Sequence, residues 1–384
     1  MKKRLIAVIL AVAMVFTLAS CKKADSGNIK IGLITPMTGE VAVYGMAVKN
    51  AVELYINAFN DAGGIDGRKI DLIVYDDKGD ATESVNAYQK LVTSDEVVAI
   101  IGAVTSTPTL AVMQASVSDN IPMITPTATH PDVTSYGKNA FRACYTDDVQ
   151  AISCANFAKT GLEAKTAAII YGSEDPYSTG LKEVFEAKCE ENGIQIVAVE
   201  GYSASDVDYK SQLTNIIAKK PEVLFVPDYY NTVYTVAKQA RELGYEGEFL
   251  GVDGVDGVLA IEGADVSYLD GLYFSNHYAT DTDSQAVKDF IDAFQKKYNE
   301  VPNALAALGY DAADILVQAV ALAVADGVKM EAGKECYQAI IDKIATIKLD
   351  GVTGNITFDA DHNTQKTCTI ITVINGEYKS IGSY

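Results

Sequence analysis

The sequence predicts an α/β chain made of two domains, each a mostly parallel sheet with helices on both faces. Three observations predict it. From Lys30 onward, short apolar runs alternate with segments of helical amphipathic spacing, the pattern of buried parallel strands joined by crossover helices. The 384 residues suffice for two domains at roughly 150 residues each once a leader is set aside. A chain that is 48% hydrophobic and 21% charged can bury a core in each, which excludes a disordered or collagen-like polymer.

The first series opens with Ile31-Gly32-Leu33-Ile34-Thr35 as a strand. A helix over 45–62 comes next, with Ala51, Val52, Tyr55, Ile56 and Phe59 on its apolar side and a stop at Gly63-Gly64. Then come a strand at 70–75, a helix at 82–93, a strand at 97–101, a helix at 107–119 and a strand at 122–125. The second series runs as helix 149–159, strand 167–171, helix 177–192 and strand 194–202. It continues with helix 209–218, strand 223–226, helix 232–243 and strand 249–252. The last quarter is less regular: a strand at 272–275, helices at 284–298, 304–325 and 333–346, and strands near 355–358 and 367–373. The apolar helix 304–325 carries Asp311 and Asp314, so it reads as core packing and not as a membrane span. No low-complexity linker divides the two series, so short crossings should join them.

Residues 1–21 carry Lys2, Lys3 and Arg4, then an apolar stretch from Leu5 to Leu18, then Ala19-Ser20-Cys21. That is the layout of a secretory signal over 1–20. The cysteine after Leu-Ala-Ser resembles a bacterial lipobox, in which Cys21 becomes the lipid-bearing N-terminus, with 21–28 as a polar tether. The expected location is the outer face of the cytoplasmic membrane. With 51 acids against 31 bases the formal net charge is −20, which excludes the usual electrostatic route to nucleic acid or anionic lipid. Cys144, Cys154, Cys189, Cys336 and Cys368 are odd in number and lack metal-ligand spacing; a single disulfide among them stays open.

No dinucleotide, phosphate-loop or serine-hydrolase motif occurs, and His130, His277 and His362 lie far apart. Acid pairs such as Asp76-Asp77 and Asp147-Asp148 read as surface or caps. No catalytic residue, metal site or cofactor is expected. The distinctive content lies in loops at strand ends: Thr105-Ser106-Thr107, Thr127-Ala128-Thr129, Tyr177 after Asp175-Pro176, Asp228-Tyr229-Tyr230 and Asp253. Ligands of doubly wound sheets bind at such ends, where helix N-termini offer free N–H groups. Hydroxyl donors, an acid and aromatic faces would suit a small zwitterion. Each also has a plainer reading: helix capping for Thr105, Ser106 and Thr107, packing for Tyr229 and Tyr230, turn formation for Asp253.

Several strings together resemble the branched-chain amino acid binding proteins of ABC importers. They are Val43-Tyr44-Gly45, Asn60 through Gly67, Val74 through Asp77, Ile101-Gly102 with Ser106-Thr107, Ile124 through Thr129, Asp175 through Gly180, and Phe249 through Asp253. The resemblance implies a hinged, two-lobed type I periplasmic-binding-protein-like fold with three chain crossings. One lobe would comprise 29–147 and 277–353, the other 148–276 and 354–384. It implies that Ser106, Thr129 and the backbone at Thr127 meet a ligand carboxylate, that Asp253 meets the ammonium, and that Tyr44, Tyr177 and Tyr229 close around the ligand. The implied partners are a free amino acid and a membrane permease, the protein itself being monomeric. Two departures stand out: Asp253 where relatives often carry Glu, and no Cys pair near Tyr75–Asp80 and Thr105. Open alternatives are a ligand such as an amide, urea or aromatic acid, an extracellular sensor, and a secreted hydrolase.

Overall fold

A computed structural model describes residues 27–384; the leader, Cys21 and most of the tether lie outside the described residues. In the first half the strands are β1 (Ile29–Thr35), β2 (Ile70–Asp76), β3 (Ala99–Ile101), β4 (Met123–Thr125) and β5 (Ala140–Arg142). Between them run the helices α1 (Ala42–Asp61), α2 (Ala81–Thr93) and α3 (Ser106–Ser116). The strands pair in parallel in the order β2-β1-β3-β4-β5, with Ile29 opposite Ile70 and Ile31 opposite Ala99. Ile31, Leu33 and Ile34 are all fully buried, as expected of a central strand covered on both faces.

The second half repeats this winding. Its strands are β6 (Thr166–Gly172), β7 (Gln195–Tyr202), β8 (Val223–Phe225), β9 (Glu248–Gly251) and β10 (Leu272–Asn276). Its helices are α4 (Asp147–Thr160), α5 (Pro176–Glu191), α6 (Lys210–Ile217) and α7 (Tyr230–Glu242). The parallel part of the sheet reads β7-β6-β8-β9-β10, the same order strand for strand. Two antiparallel strands, β13 (Thr369–Ile374) and β14 (Glu377–Gly382), extend it beyond β10. In each sheet the order reverses beside the first strand, which opens a crevice at the carboxyl ends there.

Helices α8 (Gln285–Tyr298), α9 (Ala304–Ala325) and α10 (Lys334–Ile344) return to the first sheet, α9 packing along α1. Most of α9 is buried, including Ala312, Ile315, Leu316 and Val320 at 0% exposure, so its apolar sequence is spent on the core. Its Asp311 is buried too. The carboxylate accepts the Val352 and Thr353 N–H groups at 2.7 and 2.8 Å and the Thr353 hydroxyl at 2.5 Å. That fastens the hairpin of β11 (Lys348–Gly351) and β12 (Gly354–Thr357) to the helix.

The chain passes between sheets three times: after β5, after β10 and after β12. Two of these crossings are tied together. Thr364 donates to the Cys144 carbonyl at 2.5 Å, and the His362 ring stacks on Phe141 at 4.0 Å. The five described cysteines, Cys144, Cys154, Cys189, Cys336 and Cys368, are buried and free, so none of them forms a disulfide. Burial pushes the Cys144 and Cys189 thiols up to about 12.

Several boundaries shift from the sequence reading. The helix expected to start at Gly45 starts at Ala42, and Gly45 lies inside its first turn. There the Pro36 carbonyl occupies the space of a side chain: a Cβ on Gly45 would sit 1.8 Å from that oxygen. Helix α3 begins at Ser106 and α7 at Tyr230, one and two residues earlier than expected. Strands β5, β11 and β14 were not anticipated.

Candidate ligand-binding cleft

The loops leaving β3, β4, β6, β8 and β9 meet between the two sheets. Around one narrow cavity stand Tyr44, Val104, Thr105, Ser106, Thr127, Thr129 and Leu305 from one side. Tyr177, Tyr229, Asp253 and Gly254 stand on the other. All seven residues singled out from the sequence, Tyr44, Ser106, Thr127, Thr129, Tyr177, Tyr229 and Asp253, are therefore brought to a single gap.

One end of the cavity offers donors. Ser106 is the first residue of α3, and the Thr105 side chain before it makes no capping bond, so the plainer capping reading fails for Thr105. The first turn of this eleven-residue helix is largely buried and carries the Ser106 and Thr107 N–H groups, Pro108 having none, together with the positive end of the dipole. Thr127 donates its hydroxyl to the Val104 carbonyl at 2.6 Å, which locks two loops of the wall together. The Ser106 oxygen receives the His130 N–H at 3.4 Å, which leaves its own O–H proton to point elsewhere.

The opposite end is acidic. Asp253 is 8% exposed, and both its oxygens are engaged. Tyr177 donates its hydroxyl at 2.6 Å to one, and His277 Nε2 stands 2.9 Å from the other. Burial pulls the His277 pKa down, so the ring is neutral and its Nε2–H donates to the carboxylate. Its face stacks on Tyr145 with centroids 3.7 Å apart. Gln150, fully buried, accepts the Asp253 backbone N–H at 3.1 Å and the Ser275 hydroxyl at 3.0 Å, and donates its amide to Asp147 at 2.9 Å. The acid is thus held in place from three sides, by Tyr177 of α5, Gln150 of α4 and His277 just after β10.

Aromatic rings form the remaining walls. Tyr177 and Tyr229 stack almost parallel, 2° apart with centroids at 5.2 Å, and Tyr44 meets Tyr229 edge-on at 5.9 Å. Tyr44 also joins the two sides: its hydroxyl donates to the Gly254 carbonyl and accepts the Tyr230 N–H at 3.2 Å. Outside the cavity, Tyr230 and Asn231 donate to the Glu40 carbonyl at 2.8 and 2.7 Å, and Thr107 donates to Asp175 at 3.0 Å. These bonds span the gap, so the cleft is in a closed arrangement.

Sequence reasoning missed His277, Gln150, Asp147 and Tyr145. His277 was visible only as an isolated histidine and Asp147 only as half of an acid pair. Nothing local distinguishes them, because the contacts that tie His277, Gln150 and Tyr145 to the site run across 24 to 132 residues: His277 to Asp253, Gln150 to Asp253 and Ser275, and Tyr145 to His277.

A family model described as "Periplasmic binding protein" matches residues 28–379. The chain belongs to the periplasmic binding protein family. Within it, the chain falls with the branched-chain amino acid substrate-binding proteins of ABC transporters. It is 33% identical to a Leu/Ile/Val-binding protein of Rhizobium johnstonii over 64% of this chain and 66% of that one. The crystal structure of the branched-chain amino acid transporter substrate binding protein LivJ from Streptococcus pneumoniae, in complex with isoleucine, superposes with a TM-score of 0.86. That match has 32% identity and covers 93% of this chain and 99% of that one. A solute binding protein of Rhodopseudomonas palustris in complex with benzoate shares the fold at a TM-score of 0.83, with 22% identity over 93% and 96% of the chains. In this periplasmic binding protein the cleft lies where both sheets present their carboxyl ends.

Proposed function

We propose that the protein captures a free amino acid, leucine, isoleucine or valine, outside the cytoplasmic membrane and presents it to the permease of an ABC importer. One observation carries this reading. A single cavity sets helix-terminus N–H groups and the Ser106 and Thr129 hydroxyls opposite the buried Asp253 carboxylate, with tyrosine faces, Val104 and Leu305 between them. A carboxylate, an ammonium and an aliphatic side chain each meet a matching surface there. The two lobes, 29–147 with 277–353 and 148–276 with 354–384, would close on the ligand, and closure is what a permease would read.

The energetics ask for this enclosure. Leucine has about nine non-hydrogen atoms, so micromolar affinity, about −8 kcal/mol, needs roughly −0.9 kcal/mol per atom. Discrimination among the three aliphatic side chains should be mild, since one methylene is worth about 1–3 kcal/mol.

Calorimetric titration with each of the twenty amino acids tests the reading. Micromolar binding of leucine, isoleucine or valine is expected; silence from all twenty refutes it. A second reading, an aromatic acid, is favoured by the parallel Tyr177–Tyr229 pair and by the relative that holds benzoate, so benzoate belongs in the same titration. Lipid attachment at Cys21 rests on the sequence alone. Cys21→Ser should release the protein from washed membranes into the medium, and retention on the membrane would refute the anchor.

A further inference from the structure

Behind the cavity wall, beside Asp253, lies a second carboxyl group that the proposed amino-acid contacts leave unused. Asp147 opens α4 and is 1% exposed. One of its oxygens accepts the Gln150 amide; the other is buried and makes no well-formed hydrogen bond, the Thr129 hydroxyl being the donor beside it. The Thr129 hydroxyl, part of the cavity wall, stands beside this carboxyl, and the Asp147 N–H donates to the Thr129 carbonyl at 3.0 Å. Gln150 bridges the Asp147 carboxyl to the backbone N–H of Asp253, and the Asp253 carboxylate is close enough to act on Asp147 electrostatically.

Two carboxylates in one dry site cannot both stay charged at low cost, and an unpartnered buried carboxylate oxygen costs more than a neutral acid in the same place. The groups that face Asp147 do little to offset this. Asp253 repels it, the Cys144, Tyr177 and Tyr229 groups are neutral, and Thr129 supplies only a hydroxyl. Arg142 is the one cation turned toward it; its terminal nitrogens donate to the Ala128, His130 and Pro131 carbonyls at 2.8–3.1 Å while its Nε has no partner, and it acts on Asp147 less than burial or Asp253 does. Lys366 faces Asp311 and Cys144 instead. His277 is neutral and turned to Asp253.

We propose that Asp147 carries a proton in the ligand-free protein and releases it to solvent when an amino acid's ammonium enters beside Asp253, so that capture is coupled to proton loss. The ammonium keeps its own protons; the O–H bond of the Asp147 acid breaks, and the buffer takes the proton. Burial first, with Asp253 adding to it, pushes Asp147 up to about 8, so the acid is mostly protonated at neutral pH. A cation within reach lowers a carboxyl pKa by about 1–3, which drives the proton off. By linkage, affinity then rises with pH up to the pKa of the free protein and flattens above it.

This inference rests on the amino-acid reading, and one experiment separates the two. Leucine is titrated into the full-length mature protein at pH 7.0 in buffers of differing ionisation enthalpy, whose slope counts protons. About 0.4–0.9 proton released per leucine is expected. Asp147→Asn, which keeps an oxygen for Gln150, should bind leucine more weakly and release none. Infrared difference spectra of the wild-type protein should lose a protonated-carboxyl band when leucine is added, a readout that needs no variant. Leucine binding with no proton released, or release undiminished in Asp147→Asn, overturns the proposal. No heat from any amino acid in any buffer overturns the reading beneath it.

Discussion

Asp253→Asn is expected to weaken leucine binding by roughly thirty- to several-thousandfold while leaving the thermal midpoint near that of the wild type. Truncating one partner of a buried charge pair costs about 2–5 kcal/mol, and here the ligand's ammonium is the charge left without its counter-ion. Asparagine preserves the oxygen that receives the Tyr177 hydroxyl, and its amide fits the other position once His277 turns its proton to the far ring nitrogen. That nitrogen, Nδ1, has no partner at present. The shape of the pocket therefore survives while its charge is lost. The variant also separates the two ligand readings, because benzoate carries no ammonium and its binding should be indifferent to the change. Leucine affinity within about threefold of wild type would mean that Asp253 serves only to hold its turn.

Gly45→Ala is the second large effect, and it acts on stability. The methyl group would lie 1.8 Å from the Pro36 carbonyl oxygen, with backbone on both sides and no side chain free to rotate away. Overpacking against rigid backbone costs about 3 kcal/mol, the upper end of the usual range, or ~4 °C in midpoint for a chain of this size. The same residue gives its carbonyl to the Thr35 hydroxyl at 2.9 Å and sits directly after Tyr44, so leucine binding should fall as well. Scanning calorimetry alone and with saturating leucine measures both losses. A midpoint unchanged from wild type would mean that the first turn of α1 moves without resistance.

Much of this architecture was legible in the residues. Apolar runs such as Ile31 through Ile34 and Val97 through Ile101 declare central parallel strands, because nothing polar survives between two helical layers. The strands that escaped notice are edges or short: Ala140–Arg142 is three residues long, and Lys348–Gly351 is half polar. Glu377–Gly382 escaped although Asn375-Gly376 takes the positive φ angles, 54° and 76°, of a tight hairpin turn. The strand after that turn is largely exposed and lacks the apolar run used to recognise the others.

The site was readable for a related reason. Strand ends are fixed by the alternation of elements, and the loop leaving each strand is a short, contiguous stretch of sequence. Its supporting network was not. In Gly251-Val252-Asp253-Gly254-Val255-Asp256-Gly257 the two acids look alike. Only the fold distinguishes them: Asp253 borders the cavity, whereas Asp256 receives the Asn276 amide and the Ala304 N–H at 2.8 Å each, joining a turn to the start of α9. Spacing along the chain carries no trace of contacts made across 24 or 48 residues.

The five buried thiols make the molecule its own stopwatch. An alkylating reagent can reach Cys154 or Cys189 only when α4 and α5 part, and Cys336 only when α10 lifts from the opposite half. The order in which mass spectrometry finds them labelled would tell which half lets go first, with no probe added to the chain.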